Sequence, residues 1–297
     1  MSINETASPD QPLVETYPGP FEEQPSQPPW PAKGPADSLL GVFWAGLVWI
    51  LSVVFLIFVP LITVIPYLAY KQIAFGTVGD IKTDPNVIFV SILGVVPAHL
   101  LTLLLVWFVV TSRGQRPFWS TLGWYWPRNF RPLKTIGLAV VLLVVGWVIT
   151  SAIGGAETQM DQIINSSLKT RFATAFLAAI TGPLIEELVY RGVLYAAIER
   201  TLGMKAAVAI VSALFAGVHV AQYYNNLGVI AVISFLSVSL TLVRARSGSL
   251  LPSYVMHLVF NSIQAIILVL QPFVGKPATE NPTASGFVIH TLAQLFS

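Results

Sequence analysis

The sequence predicts an all-α protein: a polytopic membrane bundle of about eight transmembrane helices enclosing a polar cavity inside the membrane. Three observations lead there. The chain has 297 residues, of which 55% are hydrophobic and only 10% charged, where a soluble domain carries about 25% charged residues. Its mean hydropathy is +0.72. Its apolar residues fall in long runs divided by short polar turns, and a helix crosses the hydrocarbon core with about 20 such residues. There is no cysteine, which excludes disulfides, thiolate metal sites and a cysteine nucleophile. A net charge of +2 gives no footprint for a nucleic-acid partner.

Residues 1–37 differ from the rest. They are rich in Pro, Glu, Gln and Ser and include Gln27-Pro28-Pro29-Trp30-Pro31. Such a stretch buries too little apolar area to offset the entropy of ordering, so it reads as a disordered, Pro-rich cytoplasmic tail. It lacks the basic start and apolar core of a signal peptide. The membrane domain is expected over residues 38–297.

Its segments follow in order: Leu39 to Tyr70, Asn86 to Val110, Ile136 to Ile153, Phe172 to Ile198, Ala206 to Gln222, Leu227 to Val243, Leu250 to Gln271, and a short last one from Ser285 to Phe296. The first is long enough to tilt or bend, and Pro60 and Pro66 offer places to do so. The last is short enough to lie at the interface or re-enter. Arg113, Arg116, Arg128, Arg131, Lys134, Arg200, Lys205, Arg244 and Arg246 fall in one set of connections; Lys71, Lys82, Lys169, Arg171 and Lys276 fall in the other. With Lys33 of the tail the balance is about ten to five, which by the positive-inside rule puts the N-terminus in the cytoplasm of an inner membrane or its equivalent. Phe118 to Phe130 interleaves Trp119, Trp124, Tyr125 and Trp126 with Arg128, a composition suited to the headgroup layer. It is expected to guide a lipidated or membrane-embedded peptide towards the cavity, from its composition and its place on the cytoplasmic side.

An ionisable group at mid-span costs about 2.5–3.5 kcal/mol on insertion scales, so it marks a functional site by default. The fourth span carries Glu186, Glu187 and Arg191. Glu187 and Arg191 are four apart and share a helix face, where they neutralise each other. Glu186 points roughly 100° away, free to face a cavity with Tyr190 one turn below. Pro183 after Gly182 loosens the helix just before the site. His219 ends a run that has Phe215 on the same face, and His257 and Asn261 share a face of the seventh span. One polar cavity holding Glu186, His219, His257 and Asn261 satisfies all four. His99 and His290 read instead as helix–helix hydrogen-bonding groups.

A carboxylate near a water acts as general base, an imidazole holds that water, and a second imidazole with an amide donates to an oxyanion. These parts suffice to hydrolyse a peptide bond without a covalent intermediate. Zinc held by Glu186, His219 and His257 is the chemical alternative, although the helical HExxH pattern is absent. A binding or immunity protein using the same cavity, and a proton-coupled transporter with a Glu/His relay, are the functional alternatives. No internal repeat supports the transporter.

Glu186-Glu187-Leu188-Val189-Tyr190-Arg191 resembles the EExxxR motif of the CPBP family, the CAAX-protease and bacteriocin-processing group. Phe215 to His219 resembles its FxxxH motif, and His257 to Asn261 its HxxxN motif, with Arg246-Ser247-Gly248-Ser249-Leu250 also typical. The similarity spans roughly Gly114 to Leu270. The resemblance implies a multi-helix intramembrane endopeptidase acting on a membrane-associated or prenylated protein or peptide. It makes Glu186 the water-activating base, with His219 positioning the water. His257 and Asn261 become the oxyanion hole, and Glu187 and Arg191 support the site. It implies no obligatory cofactor, with zinc as the alternative.

Overall fold

The computed structural model describes residues 35–274 apart from residue 129, with side chains described from residue 41 onward. The tail's first 34 residues and the expected last segment, with His290, lie outside the described residues. No strand occurs among those described.

Helix α1 (Pro35–Phe75) has 41 residues. It is about 60 Å long at 1.5 Å per residue, twice the hydrocarbon thickness, so it bends or tilts. Pro60 and Pro66 lie inside it. At Pro60 it meets the chain between α2 (Pro85–Leu93) and α3 (Val95–Val110). A Cβ on Gly94 would stand 2.6 Å from the Pro60 Cα, so only a glycine lets the two backbones approach this closely. Lys71 pairs with Asp84 at 2.6 Å. Asp84 also caps α2, accepting from the Asn86 and Val87 amides, while Pro85 opens the helix where its missing N–H is harmless.

The aromatic stretch after α3 forms one helical turn, Phe118–Thr121. Its rings form a ladder, Phe118 to Trp119 to Trp124 to Tyr254, with centroids 4.8–4.9 Å apart. Ser249 pins the stretch by donating to the Gly123 and Tyr125 carbonyls. Helix α4 (Pro132–Ile153) is followed by a short helix that the apolar pattern does not show, α5 (Gln159–Asn165), held by a Thr158–Asp161 capping box.

Next comes one apolar segment of 56 residues, Leu168–Tyr223. It comprises α6 (Leu168–Phe176), a π-helical stretch Leu177–Thr181, α7 (Gly182–Glu186), a second π stretch Glu187–Leu194, and α8 (Tyr195–Tyr223). A straight helix of that length would measure about 84 Å. It is not straight: Gly203 has φ 79° and ψ 169°, a conformation open to glycine. Arg191 and Phe215 lie equally far before and after Gly203. In a straight helix they would be about 36 Å apart, yet the Arg191 guanidinium sits 4.5 Å from the Phe215 ring. The chain therefore turns back at Gly203, and this segment supplies the expected fourth and fifth spans. Helices α9 (Leu227–Ser247) and α10 (Leu250–Leu270) complete the bundle, divided by Gly248 in the left-handed region. The described chain thus has six apolar segments long enough to span, with the fourth crossing twice. The expected polytopic helical bundle is borne out: the first seven expected spans are present, the fourth and fifth joined in one segment, and the eighth lies outside the described residues.

The outward faces are apolar. Ile57, Phe58, Leu61, Ile62 and Ile65 of α1 and Val141, Val144 and Val148 of α4 are all exposed. Contiguous patches of that kind suit lipid: the protein is an integral, multi-pass membrane protein. Inside, one apolar cluster surrounds residues 185–198, and a second joins α4, α9 and α10 through Leu142, Leu240, Met256 and Phe260.

Candidate active site

The site is built on the irregular part of the fourth segment. In the first π stretch the Gly182 amide donates to the Leu177 carbonyl, five residues back. That register would pair Ala178 with residue 183, which is proline and has no N–H. The stranded carbonyl needs a donor in a membrane interior. Asn261 of α10 supplies it, its Nδ2 donating to Ala178 O at 2.9 Å. The second π stretch carries Glu187, Tyr190 and Arg191, all buried. Wide turns of this kind recur at functional sites.

Arg191 and Glu187 are both 0% exposed and meet at 2.9 Å. Every arm of the guanidinium is engaged. Nη1 donates to Glu187 Oε1, Nε to Thr241 Oγ1, and Nη2 to the Ser237 carbonyl and hydroxyl. Its face lies on the Phe215 ring. Its own carbonyl accepts from Arg244 Nε at 3.2 Å. The Phe215 ring also packs edge-on against Tyr190 and His257, and at a shallow tilt against His219. The FxxxH phenylalanine is thus the wedge around which the polar residues are arranged. Tyr190 in turn accepts a hydrogen bond from Trp49 Nε1 of α1 at 3.1 Å.

Glu186 and Glu187 do not face apart as the 100° spacing suggests. They converge on one imidazole. His257 Nδ1–H donates to Glu187 Oε1 at 3.0 Å, and Nε2 stands 3.6 Å from Glu186 Oε2. Helix α10 crosses close to the fourth segment here and inserts His257 between the two carboxylates. The environments still differ as the sequence suggests, because the Glu186 side chain remains 31% exposed. His219 is half-buried, and its Nδ1–H donates to the Phe215 carbonyl at 2.8 Å. This bond fixes the tautomer and turns Nε2 outward as an acceptor.

Of the predicted residues, Glu186, Glu187, Arg191 and His257 form one connected cluster, and Phe215 and His219 adjoin it. Asn261 lies one turn beyond His257 and engages Ala178. His99 Nδ1 meets the Thr181 hydroxyl at 3.0 Å, the helix–helix bond expected of it. Three residues were missed. Ser237 and Thr241 lie one turn apart on α9, a pattern that signals a polar partner opposite. Arg244, read as a loop cation, is buried.

For zinc, the donors do not fit. Among the described residues no group of three His, Asp or Glu side chains is placed to hold a metal ion, and both His257 nitrogens are directed at carboxylates.

Residues 168–263 match the family model described as Rce1-like type II CAAX prenyl endopeptidase. That range holds both carboxylates, both histidines of the site, Arg191, Phe215 and Asn261. The chain is also similar to the membrane-embedded CAAX protease MroQ of Staphylococcus aureus (strain USA300). The two are 24% identical over 254 residues, covering 83% of this chain and 97% of that protein. No solved structure matches. The family match falls on the very helices that bring Glu186 and His257 together, and over that range the chain is similar to the CAAX-protease family.

Proposed function

We propose that the protein is an intramembrane endopeptidase that hydrolyses a peptide bond of a membrane-associated, prenylated or peptide substrate with water activated by Glu186. The observation that carries this reading is a half-open carboxylate at mid-span whose neighbouring imidazole is oriented by a second, fully buried carboxylate. The family-model match over residues 168–263 and the MroQ likeness support the same chemistry.

In this reading Glu186 takes a proton from water as the water oxygen bonds to the scissile carbonyl carbon. The outward Nε2 of His219 accepts a hydrogen bond from the same water. His257, when it carries a proton on Nε2 besides the Nδ1–H held by Glu187, and the Asn261 N–H not used on Ala178 donate to the tetrahedral oxyanion. The C–N bond then breaks, and Glu186 returns the proton to the leaving amine. Glu187 holds the His257 ring through Nδ1–H, the part an orienting carboxylate plays beside a catalytic histidine. Arg191 neutralises Glu187 and fixes it. No step needs a metal. The end of the bundle carrying Arg113, Arg116, Arg200, Lys205 and Arg246 is placed in the cytoplasm by the positive-inside rule.

The test is cleavage of a farnesylated CAAX peptide and a membrane-peptide library by the purified protein in detergent, read by mass spectrometry. Glu186→Gln is expected to lower cleavage by about 10²–10⁴-fold, and a chelator to leave it unchanged. Cleavage by Glu186→Gln at the wild-type rate, or loss with chelator and recovery with zinc, would overturn the mechanism. Absence of cleavage by the wild type would favour a binding role for the cavity.

A further inference from the structure

We propose that the basic rim around Arg200, at the end of the bundle where α1 begins, docks the chain's own acidic first 34 residues. Contacts deeper in the bundle put the parts of this rim at one level. Gly94, at the start of α3, meets Pro60 of α1, and Val106 and Val110 of α3 share a buried cluster with Ala45 and Val48. The two helices therefore run in opposite directions. Val110 comes level with Trp44, and Arg113 and Arg116 lie just beyond it. The fourth segment is fixed the same way. Trp49 meets Tyr190 at 3.1 Å, and Leu194 and Ile198 belong to the cluster that holds Ala45. Arg200 lies as far after Tyr190 as Leu39 lies before Trp49, so Arg200 stands beside the start of α1. Arg246 joins this end because the Leu250 amide donates to the Gly123 carbonyl at 3.0 Å, next to Leu122, which packs on Gly192.

The rim carries almost one sign of charge. Arg113, Lys205 and Arg246 are exposed, and Arg116 and Arg200 are half-buried. Across the connections 111–134, 199–206 and 244–249 the one acidic residue is Glu199. It accepts from the Tyr195 hydroxyl at 2.7 Å and makes no ion pair among the described residues. Arg200 is left with Nε and Nη2 buried and without an acceptor. Those two N–H groups form the edge of the guanidinium that grips both oxygens of a carboxylate. Donors left unpaired in this way are costly, and no described acid completes them. The residue is half-buried, so a turn of its flexible end presents that edge to an incoming anion. The first 34 residues supply the complement: Glu5, Asp10, Glu15, Glu22 and Glu23 against the single base Lys33. From Glu23 to Pro35 the chain reaches up to about 40 Å, enough to cross several helices of about 10 Å diameter. Tethering beside the rim gives these carboxylates an effective concentration on the order of millimolar, an advantage that no free anion shares.

The absence of cysteine makes the distance measurable. Ser26→Cys, close to Glu22 and Glu23, and Met204→Cys, exposed on the rim, are spin-labelled in the full chain, and double electron–electron resonance reads their separation in phosphatidylcholine nanodiscs. A narrow, short-distance population is expected at low salt. It should be lost in Glu22→Gln/Glu23→Gln, in Arg200→Gln, and at 1 M salt, where the Debye length falls to about 3 Å. Arg200→Lys keeps the charge without the fork and should recover part of it. Glu22 and Glu23 precede every described helix, so their substitution tests docking without disturbing the bundle. A distance distribution that none of these changes alters would overturn the proposal. Nanodiscs containing phosphatidylglycerol test the competing occupant. A short distance that survives there supports the tail, whereas its loss would give the rim to anionic headgroups and overturn the proposal. The readout needs no cleavage, so it stands whatever Glu186→Gln does to proteolysis.

Discussion

Glu186 and Glu187 are neighbours in sequence and opposites in setting. On the Arg191 side everything is closed. The carboxylate and guanidinium are fully buried, the guanidinium is satisfied by α9 hydroxyls and a carbonyl, and an aromatic ring covers it. On the Glu186 side the carboxylate is partly open and its imidazole contact is long, 3.6 Å. The difference separates two uses of a charge in a membrane interior. A charge that is fully buried and neutralised by a paired countercharge is scaffold, and breaking it leaves its partner stranded. A charge left short of partners is held ready for something that is not yet there.

The largest expected effect breaks the closed side. Arg191→Met keeps the side chain's bulk but leaves Glu187 buried with His257 alone, and it should destabilise by about 3–5 kcal/mol. Glu186→Gln, one residue before that pair, should stay within about 0.5 kcal/mol of wild type while abolishing cleavage. Thermal unfolding in detergent micelles measures both. Equal destabilisation by the two variants would erase the distinction between scaffold and reactive carboxylate.

Gly192→Ala probes the packing behind the closed side. Its Cβ would stand 2.9 Å from Leu122 Cδ2 and 3.4 Å from Leu250 Cδ2, both fully buried side chains. Overpacking of this kind costs about 1–3 kcal/mol, read as a lower unfolding temperature. Gly217, where a Cβ meets open space, is the control and should tolerate alanine. Weaker still are Ser237→Ala and Thr241→Val. Interhelical polar contacts in membranes average about 0.6 kcal/mol. Because both hydroxyls serve one guanidinium, the double variant should deviate from additivity, which a double-mutant cycle detects.

Much of this contrast is legible in the sequence, and the reasons are physical. Glu186, Glu187 and Arg191 stand out because almost nothing else in those apolar runs ionises. The histidines follow because four polar groups in a bundle need a common cavity. What one chain of letters does not carry is which helix crosses which. That His257 inserts between two carboxylates depends on where α10 meets the fourth segment. The π stretches hide for a different reason: side-chain pattern says little about a shift from four-residue to five-residue hydrogen bonds. Pro183 is the visible trace, since its missing N–H strands the carbonyl that Asn261 then satisfies. Ser237 and Thr241 were passed over because isolated hydroxyls bond their own helix so readily, and Thr241 does so as well.

The smallest effect comes from setting the buried pair against an ion pair at the membrane surface. Lys71 and Asp84 meet at 2.6 Å where α1 gives way to α2, in reach of water. The lysine ammonium holds the Asp84 carboxyl below the usual carboxylate range, helped by the Asn86 and Val87 amides that it caps. A carboxyl depressed in the folded state stabilises above its unfolded pKa of about 3.9, and that contribution fades as pH falls through the folded value. Stability should therefore drop slightly on acidification below about pH 4. Asp84→Asn keeps the capping oxygen and removes the charge, so it should flatten that acid step while leaving α2 intact. Raising salt to 1 M, where the Debye length falls to about 3 Å, should shrink the difference between wild type and Asp84→Asn. The Arg191→Met defect lies beyond the reach of mobile ions and should persist unchanged. If salt weakened both defects alike, the Glu187–Arg191 pair would be as wet as the surface pair, and the division into a closed and an open side of the helix would fail.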